Sequence, residues 1–144
     1  MLFGRKKHGI ANLLIVEDEP LIAFDNEHFL RDEGYRIVAT VDRVADAVAH
    51  LSSGAAIELV ILDISLSDGS GLEVAREAHA RGVAVLFATG NCPAEAMHYA
   101  HGCLAKPYPQ RDLSAAIDAI GAVLQGSATP RRLPPSFSLF PQAA

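Results

Sequence analysis

The 144-residue chain has no tryptophan, only two cysteines and an aromatic fraction of 6%. Cys92 and Cys103 are too few for a disulfide scaffold and lack Cys-x-x-Cys spacing, so they read as reduced thiols in a cytoplasmic protein. Surplus positive charge is also missing. Against 17 Asp and Glu stand 12 Lys and Arg, a formal charge of −5, which disfavours phosphate backbones and anionic lipid. Direct nucleic-acid binding and membrane binding are therefore not expected. No apolar run approaches the roughly 18 to 20 residues of a membrane span, and the basic start, Met1 to His8, lacks the apolar stretch of about 7 to 15 residues of a secretion signal. Apolar material is nonetheless ample. Half of the residues are hydrophobic and 20% charged, enough to build one domain with a substantial core.

Apolar runs and amphipathic segments alternate from residue 11 to residue 125. The runs Asn12 to Val16, Ile57 to Leu62 and Val83 to Ala88 are nearly uninterrupted, as in parallel strands covered on both faces. Tyr35 to Thr40 and the short Gly102 to Ala105 complete five strands. Between them, helical periodicity covers Pro20 to Asp32, Arg43 to Ser52, Gly71 to Arg81, a weak stretch Pro93 to Ala100, and Gln110 to Leu124. In the last helix Leu113, Ala116, Ile117, Ile120 and Leu124 form one apolar stripe. The order is α/β, a (βα)5 doubly wound arrangement with right-handed crossovers and its ligand site at the carboxyl ends of the strands. Residues 1–10 read as an N-terminal arm, 11–125 as the domain and 126–144 as a disordered tail. That tail carries four prolines, while Phe137, Leu139 and Phe140 leave open a short docking peptide.

The strand ends collect Glu17 and Asp18 after the first run, Asp63 after the third, Thr89 after the fourth and Lys106 after the fifth. Three carboxylates brought together repel by several kcal/mol at an effective dielectric of about 20 unless a cation offsets them. Mg²⁺ suits such an oxygen set, keeping several waters and taking one or two carboxylates plus a phosphate. A carboxylate beside a metal, a hydroxyl and an ammonium is also equipped to attack phosphorus. Asp63 is the candidate nucleophile, and the aspartyl phosphate it would form needs the neutralisation that Mg²⁺, Thr89 and Lys106 can supply.

Over residues 11 to 125 the chain resembles the receiver domain of bacterial two-component response regulators. The resemblance rests on Leu-Leu-Ile-Val-Glu-Asp-Glu-Pro (13–20), Val-Ile-Leu-Asp-Ile-Ser-Leu-Ser-Asp-Gly-Ser-Gly-Leu-Glu (60–73), Phe-Ala-Thr-Gly (87–90) and Lys-Pro-Tyr (106–108). It implies a flavodoxin-like parallel five-stranded sheet of order 2-1-3-4-5, with Asp63 as phosphoacceptor. It further implies Mg²⁺ held by Glu17, Asp18, Asp63 and the Ser65 backbone carbonyl, Thr89 as switch hydroxyl, and Lys106 on the phosphoryl group. A cis peptide before Pro107 follows from the same resemblance. Phe-Ala-Thr-Gly with Lys-Pro-Tyr also resembles a receiver subgroup named for F-A-T-G-hydrophobic-Tyr, the FATGUY type. Asn91 and Cys92 stand where that subgroup carries its hydrophobic residue and tyrosine, and Cys103 stands where most receivers place an aromatic. The short interval from Thr89 to Lys106 implies an abbreviated or irregular helix between the fourth and fifth strands. Ser65 and Asn91 would flank the path of attacking water.

The function implied is a stand-alone response regulator that takes a phosphoryl group from a sensor histidine kinase. Exchange with a histidine phosphotransfer protein, a downstream protein target and a phosphorylation-dependent dimer are compatible with it. Such a protein catalyses only its own phosphorylation and dephosphorylation. The rival readings are an unphosphorylated docking module, a flavodoxin and a small-molecule phosphatase. The last would want a second Asp where Ser65 stands, and a flavodoxin would want a hydroxyl- and glycine-rich loop where Glu17-Asp18-Glu19-Pro20 stands. Cys92, His98, His101 and Cys103 have no familiar zinc spacing.

Overall fold

The computed structural model describes residues 9–128 and 130–141. The continuous apolar runs become the strands of one sheet: β1 (Asn12–Val16), β2 (Arg36–Val41), β3 (Leu59–Leu62), β4 (Ala84–Thr89) and β5 (Gly102–Ala105). All five are parallel, in the order 2-1-3-4-5. Side-chain alternation divides β1 between two cores. Leu13 and Ile15 pack with Leu30 of helix α1 (Pro20–Asp32) and with Leu113, Ile117 and Ile120 of helix α4 (Gln110–Leu124). Leu14 and Val16 pack on the other face with Ala47 and Leu51 of helix α2 (Val44–Ser52) and with Val74 and Ala78 of helix α3 (Gly71–Ala80). Two helices on each face leave the strands' carboxyl ends open as one rim.

Local chemistry sets the helix starts. Pro20 opens α1 at a position where a missing N–H costs nothing, and the Ser70 hydroxyl caps α3 by accepting from Leu72 N–H at 3.1 Å. Helix α2 is capped from outside its own sequence: Asp68 accepts from the Val44 and Ala45 N–H groups at 2.6 and 3.1 Å.

Four features depart from the sequence reading. The segment 126–144 was expected to be disordered, yet Phe137–Leu139 forms a strand, β6, antiparallel to β5 with Leu104 opposite Phe137. Phe137 is 6% exposed and lies over Gly102, where an added Cβ would come within 2.6 Å of the ring. Burial of that ring and the outer edge of β5 together hold the segment. The arm expected over 1–10 ends earlier, because Ile10 is 3% exposed in the α4 core; residues 1–8 lie outside the described residues. The α4 stripe is buried through Ile120, but Leu124 in the last turn is 50% exposed. Cys92 and Cys103, read as reduced thiols, are joined in a disulfide, with their Cα atoms 6.5 Å apart. Parallel pairing of β4 with β5 brings the loop after Thr89 back beside Cys103, a proximity that linear spacing hides. The abbreviated or irregular helix implied between those strands is found as such, a five-residue 3₁₀ turn, Ala94–His98.

Candidate functional site

Four of the five parallel strands, β1, β3, β4 and β5, deliver the polar groups expected at the rim. Strand β1 ends at Val16, so Glu17 and Asp18 follow directly; the Glu17 N–H donates to the Val41 carbonyl at 2.9 Å, tying the turn to β2. Asp63 follows β3 and is fixed by its own N–H donating to the Val16 carbonyl at 3.0 Å. Thr89 is the last residue of β4, and its carbonyl accepts from the Lys106 N–H at 2.9 Å just beyond β5. Neighbouring strands therefore hold the donors and acceptors in register. The Lys106–Pro107 peptide is cis.

Asp63 is the shared acceptor. Its Oδ1 accepts from the Thr89 hydroxyl at 2.9 Å and from the Ser65 N–H at 3.3 Å, and its Oδ2 accepts from Lys106 Nζ at 2.8 Å. Lys106 Nζ also lies 2.9 Å from Glu17 Oε1 and 3.7 Å from Glu19 Oε1. Glu17, Asp63 and Thr89 are about 5% exposed, and polar groups that deep persist only when paired.

Burial pushes both acids up, and their partners decide the net direction. At Glu17 desolvation dominates, and its carboxyl is pushed up to about 7 despite hydrogen bonds from Lys106 and the Glu19 N–H. At Asp63 burial acts the same way, but the hydrogen bonds from Lys106 and Thr89 outweigh it and hold the carboxyl below its ordinary value. Lys106 loses to burial and gains more from Asp63 and Glu17, so its ammonium is held above its usual range. The Asp63 carboxylate is thus kept ionised beside a fixed cation.

Glu17, Asp18 and Asp63 offer ligand atoms all within 4.8 Å of one another, the one such group among the described residues. This all-oxygen set fits a hard divalent cation. No comparable group gathers around Cys92, His98, His101 and Cys103, whose two thiols bond to each other.

Ser65 is exposed and, with Asp63, Asp18 and Leu21, lines a cavity of about 550 Å³ that gives outside access to the carboxylate. Asn91 lines a different cavity, beside Cys92 and Cys103, so the two residues expected to flank one water path open onto separate spaces. Two contributors escaped the sequence reading. Glu19 donates its N–H to Glu17 Oε2 at 3.1 Å as well as facing Lys106, and Gly71 lies so close to the backbone of the candidate site that a Cβ there would run into the Asp63 carbonyl oxygen. Glu19 stands inside the acidic run after β1 and could have been suspected; Gly71 carried no chemical signal.

Comparison with known proteins agrees with this geometry. The family model for the response regulator receiver domain matches residues 13–118. The transcriptional regulatory protein PdtaR of Mycobacterium tuberculosis is 31% identical over 112 residues, which cover 74% of this chain and 54% of PdtaR. The phyllosphere-induced regulator PhyR of Methylorubrum extorquens is 35% identical over 68 residues, covering 46% of this chain and 26% of PhyR. The chain thus spans about half or less of the curated relatives it matches. Among solved structures, the response regulator TrrA of Thermotoga maritima, in complex with Mg²⁺–BeF, aligns with TM-score 0.69 and 28% identity over 77% of this chain and 99% of that one. A CheY-like receiver domain protein from Methanospirillum hungatei aligns with TM-score 0.73 and 24% identity, covering 81% and 98%. These matches name the receiver family without singling out a subgroup of it. With its acidic rim, its paired Asp63 and Lys106 and its 2-1-3-4-5 sheet, the chain belongs to the response regulator receiver domain family of two-component signalling.

Proposed function

We propose that this receiver accepts a phosphoryl group on Asp63 from the phosphohistidine of a sensor histidine kinase and signals by binding another protein. The observation that carries the reading is the convergence of a hydroxyl, an ammonium and a backbone N–H on one ionised carboxylate at the mouth of a cavity. In the step itself an Asp63 oxygen attacks phosphorus, the phosphorus–nitrogen bond breaks, and its electron pair returns to the donor imidazole. Lys106 then faces the new phosphoryl oxygens, and the Thr89 hydroxyl can turn from Oδ1 onto one of them. Glu17, Asp18 and Asp63, with the Ser65 carbonyl, would hold Mg²⁺, which supplies charge neutralisation for the transferring group.

Leu21, which lines that cavity and is 79% exposed, and Phe24, 61% exposed further along α1, suit a protein donor rather than a small metabolite. No helix among the described residues is long and apolar enough to cross a membrane. Cytoplasmic action, relay through a histidine phosphotransfer protein and phosphorylation-dependent dimerisation belong to the same proposal. So does the absence of chemistry on other substrates. Ser65 supplies no second carboxylate beside Asp63, which weighs against a small-molecule phosphatase.

Intact mass after incubation with Mg²⁺ and acetyl phosphate tests the reading. One acid-labile phosphate is expected on the wild type and none on Asp63→Asn. Equal labelling of the two proteins, or none on the folded wild type even with a cognate kinase, would overturn it.

A further inference from the structure

The disulfide Cys92–Cys103 is placed on the two groups that grip Asp63. Cys92 lies three residues after Thr89, and Cys103 lies three residues before Lys106. The bond therefore closes a ring whose exits lead straight to the Thr89 hydroxyl and the Lys106 ammonium, already joined by the hydrogen bond from Lys106 N–H to the Thr89 carbonyl. The far part of the ring is anchored, with Ala96 and Ala100 buried and the His101 N–H donating to the Val85 carbonyl at 2.8 Å, whereas toward Thr89 Gly90, Asn91, Ala94 and Glu95 are exposed and lead only into the 3₁₀ turn Ala94–His98, whose hydrogen bonds have poorer geometry than those of an α-helix. The covalent bond is thus a principal restraint on this loop.

The two sulfurs are not equally reachable. Cys103 is 6% exposed within β5, whereas Cys92 is half-buried, and both line a cavity of about 340 Å³ open to solvent. Disulfides in reducing compartments are chiefly transient, catalytic or redox-sensing. A pair at bonding distance, in a protein proposed above to act in the cytoplasm, fits the sensing role.

We propose that Cys92 and Cys103 form a thiol–disulfide modification site, read by a small or protein-borne dithiol, that governs how readily the Thr89 loop responds at Asp63. The proposal rests on Asp63 being the phosphoacceptor. In the reductive step a dithiol's thiolate attacks Cys92 Sγ, the Sγ–Sγ bond breaks, and Cys103 leaves as a thiolate that takes up a proton. The dithiol's second sulfur then releases Cys92, so the protein gains two electrons and two protons while the dithiol becomes a disulfide. The reverse exchange with an oxidised dithiol restores the ring. Oxidised, the ring keeps the Thr89 hydroxyl on the Asp63 carboxylate. Reduced, the loop can follow the hydroxyl onto a phosphoryl oxygen.

The full chain, equilibrated with dithiothreitol or with its oxidised form, tests this with two readings. Alkylation and intact mass should count two thiols in the first buffer and none in the second. With Mg²⁺ and acetyl phosphate, the initial rate of Asp63 labelling should be on the order of 5-fold or more slower in the oxidised protein. Cys92→Ser should label at the reduced rate in both buffers, and Cys103→Ala should repeat that result from the other side of the bond. Two thiols persisting in the oxidising buffer would overturn the site. Equal labelling rates of the oxidised and reduced wild type would overturn the coupling while leaving the phosphoacceptor intact. Absence of label in both states, with a cognate kinase as well as with acetyl phosphate, would overturn the phosphoacceptor reading and the coupling together.

Discussion

Replacing Lys106 by Met removes a charge while nearly keeping the side chain's length, and it isolates the electrostatics of the rim. The ammonium is 2.8 Å from Asp63 and 2.9 Å from Glu17, with side-chain exposures of 15% for the lysine and 5–8% for the acids. Breaking a buried pair by deleting one partner costs about 3–5 kcal/mol, because the surviving charge is left without compensation. Here two carboxylates lose one cation, but Glu17 can take up a proton near neutrality, so a loss of about 3 kcal/mol is expected without divalent ion. A divalent cation should narrow the gap, because the acids should bind it more tightly once the competing lysine is gone, and at saturation each tenfold gain in affinity over the wild type restores about 1.4 kcal/mol. Urea unfolding followed by far-UV circular dichroism is the assay. Wild type and Lys106→Met are compared with and without saturating Mg²⁺, with the slope m checked for constancy. Asp63→Asn is the companion, because it leaves Lys106 paired with Glu17 and should cost far less. A Lys106→Met loss below about 1 kcal/mol, or a loss of equal size with and without Mg²⁺, would refute the account of a buried acidic rim balanced by one lysine.

Three further outcomes follow from particular contacts. Phe137→Ala should destabilise by at most about 2–3 kcal/mol, a ceiling set because β6 can detach while the remainder stays folded; hydrogen exchange at the Ala105 and Phe140 amides should rise with it, and unchanged exchange would argue against docking. Gly71→Ala should cost about 1–3 kcal/mol and lower Asp63 labelling, since the methyl would displace the Asp63 carbonyl and approach Ile64 Cα at 3.0 Å; normal labelling would show that the helix start can yield. Burial, with His79 nearby, holds the His101 imidazole below its ordinary 6.5, so the unfolded chain binds that proton more readily. Its contribution is complete above about pH 6.5 and is lost as pH falls toward the lower folded value; urea midpoints should show this acid loss in wild type and less of it in His101→Gln.

The parts of the fold that were legible are those written in continuous or periodic apolar residues. Runs such as Leu59–Leu62 bury every residue, and the polar groups that end them fall at the rim because parallel strands all finish on one edge. What was hidden depends on neighbours remote in sequence. Phe137–Leu139 is too short to carry a pattern, and its pairing needs the open edge of β5 together with the missing side chain at Gly102. Asp68 caps a helix whose first residue lies 24 positions earlier, while that helix's own Arg43 offers no cap. The cysteines lie 11 apart in sequence, and only the crossover from β4 to β5 makes them neighbours. Gly71 read only as the start of a helical segment because its reason is steric, a close approach to the Asp63 backbone.

Strand β6 also bears on how the molecule avoids sticking to itself. A sheet margin with unpaired N–H and carbonyl groups is a template for another chain, and β5 would present one if it were left bare. The antiparallel cover is only three residues long and is bracketed by Pro134 and Pro135 before it and Pro141 after it. Proline cannot donate to a ladder, so the covering strand cannot lengthen in either direction into a surface on which an extended peptide could add. The same short segment thus fills an apolar gap and ends the sheet there, leaving β2 as the longer margin, six residues from Arg36 to Val41.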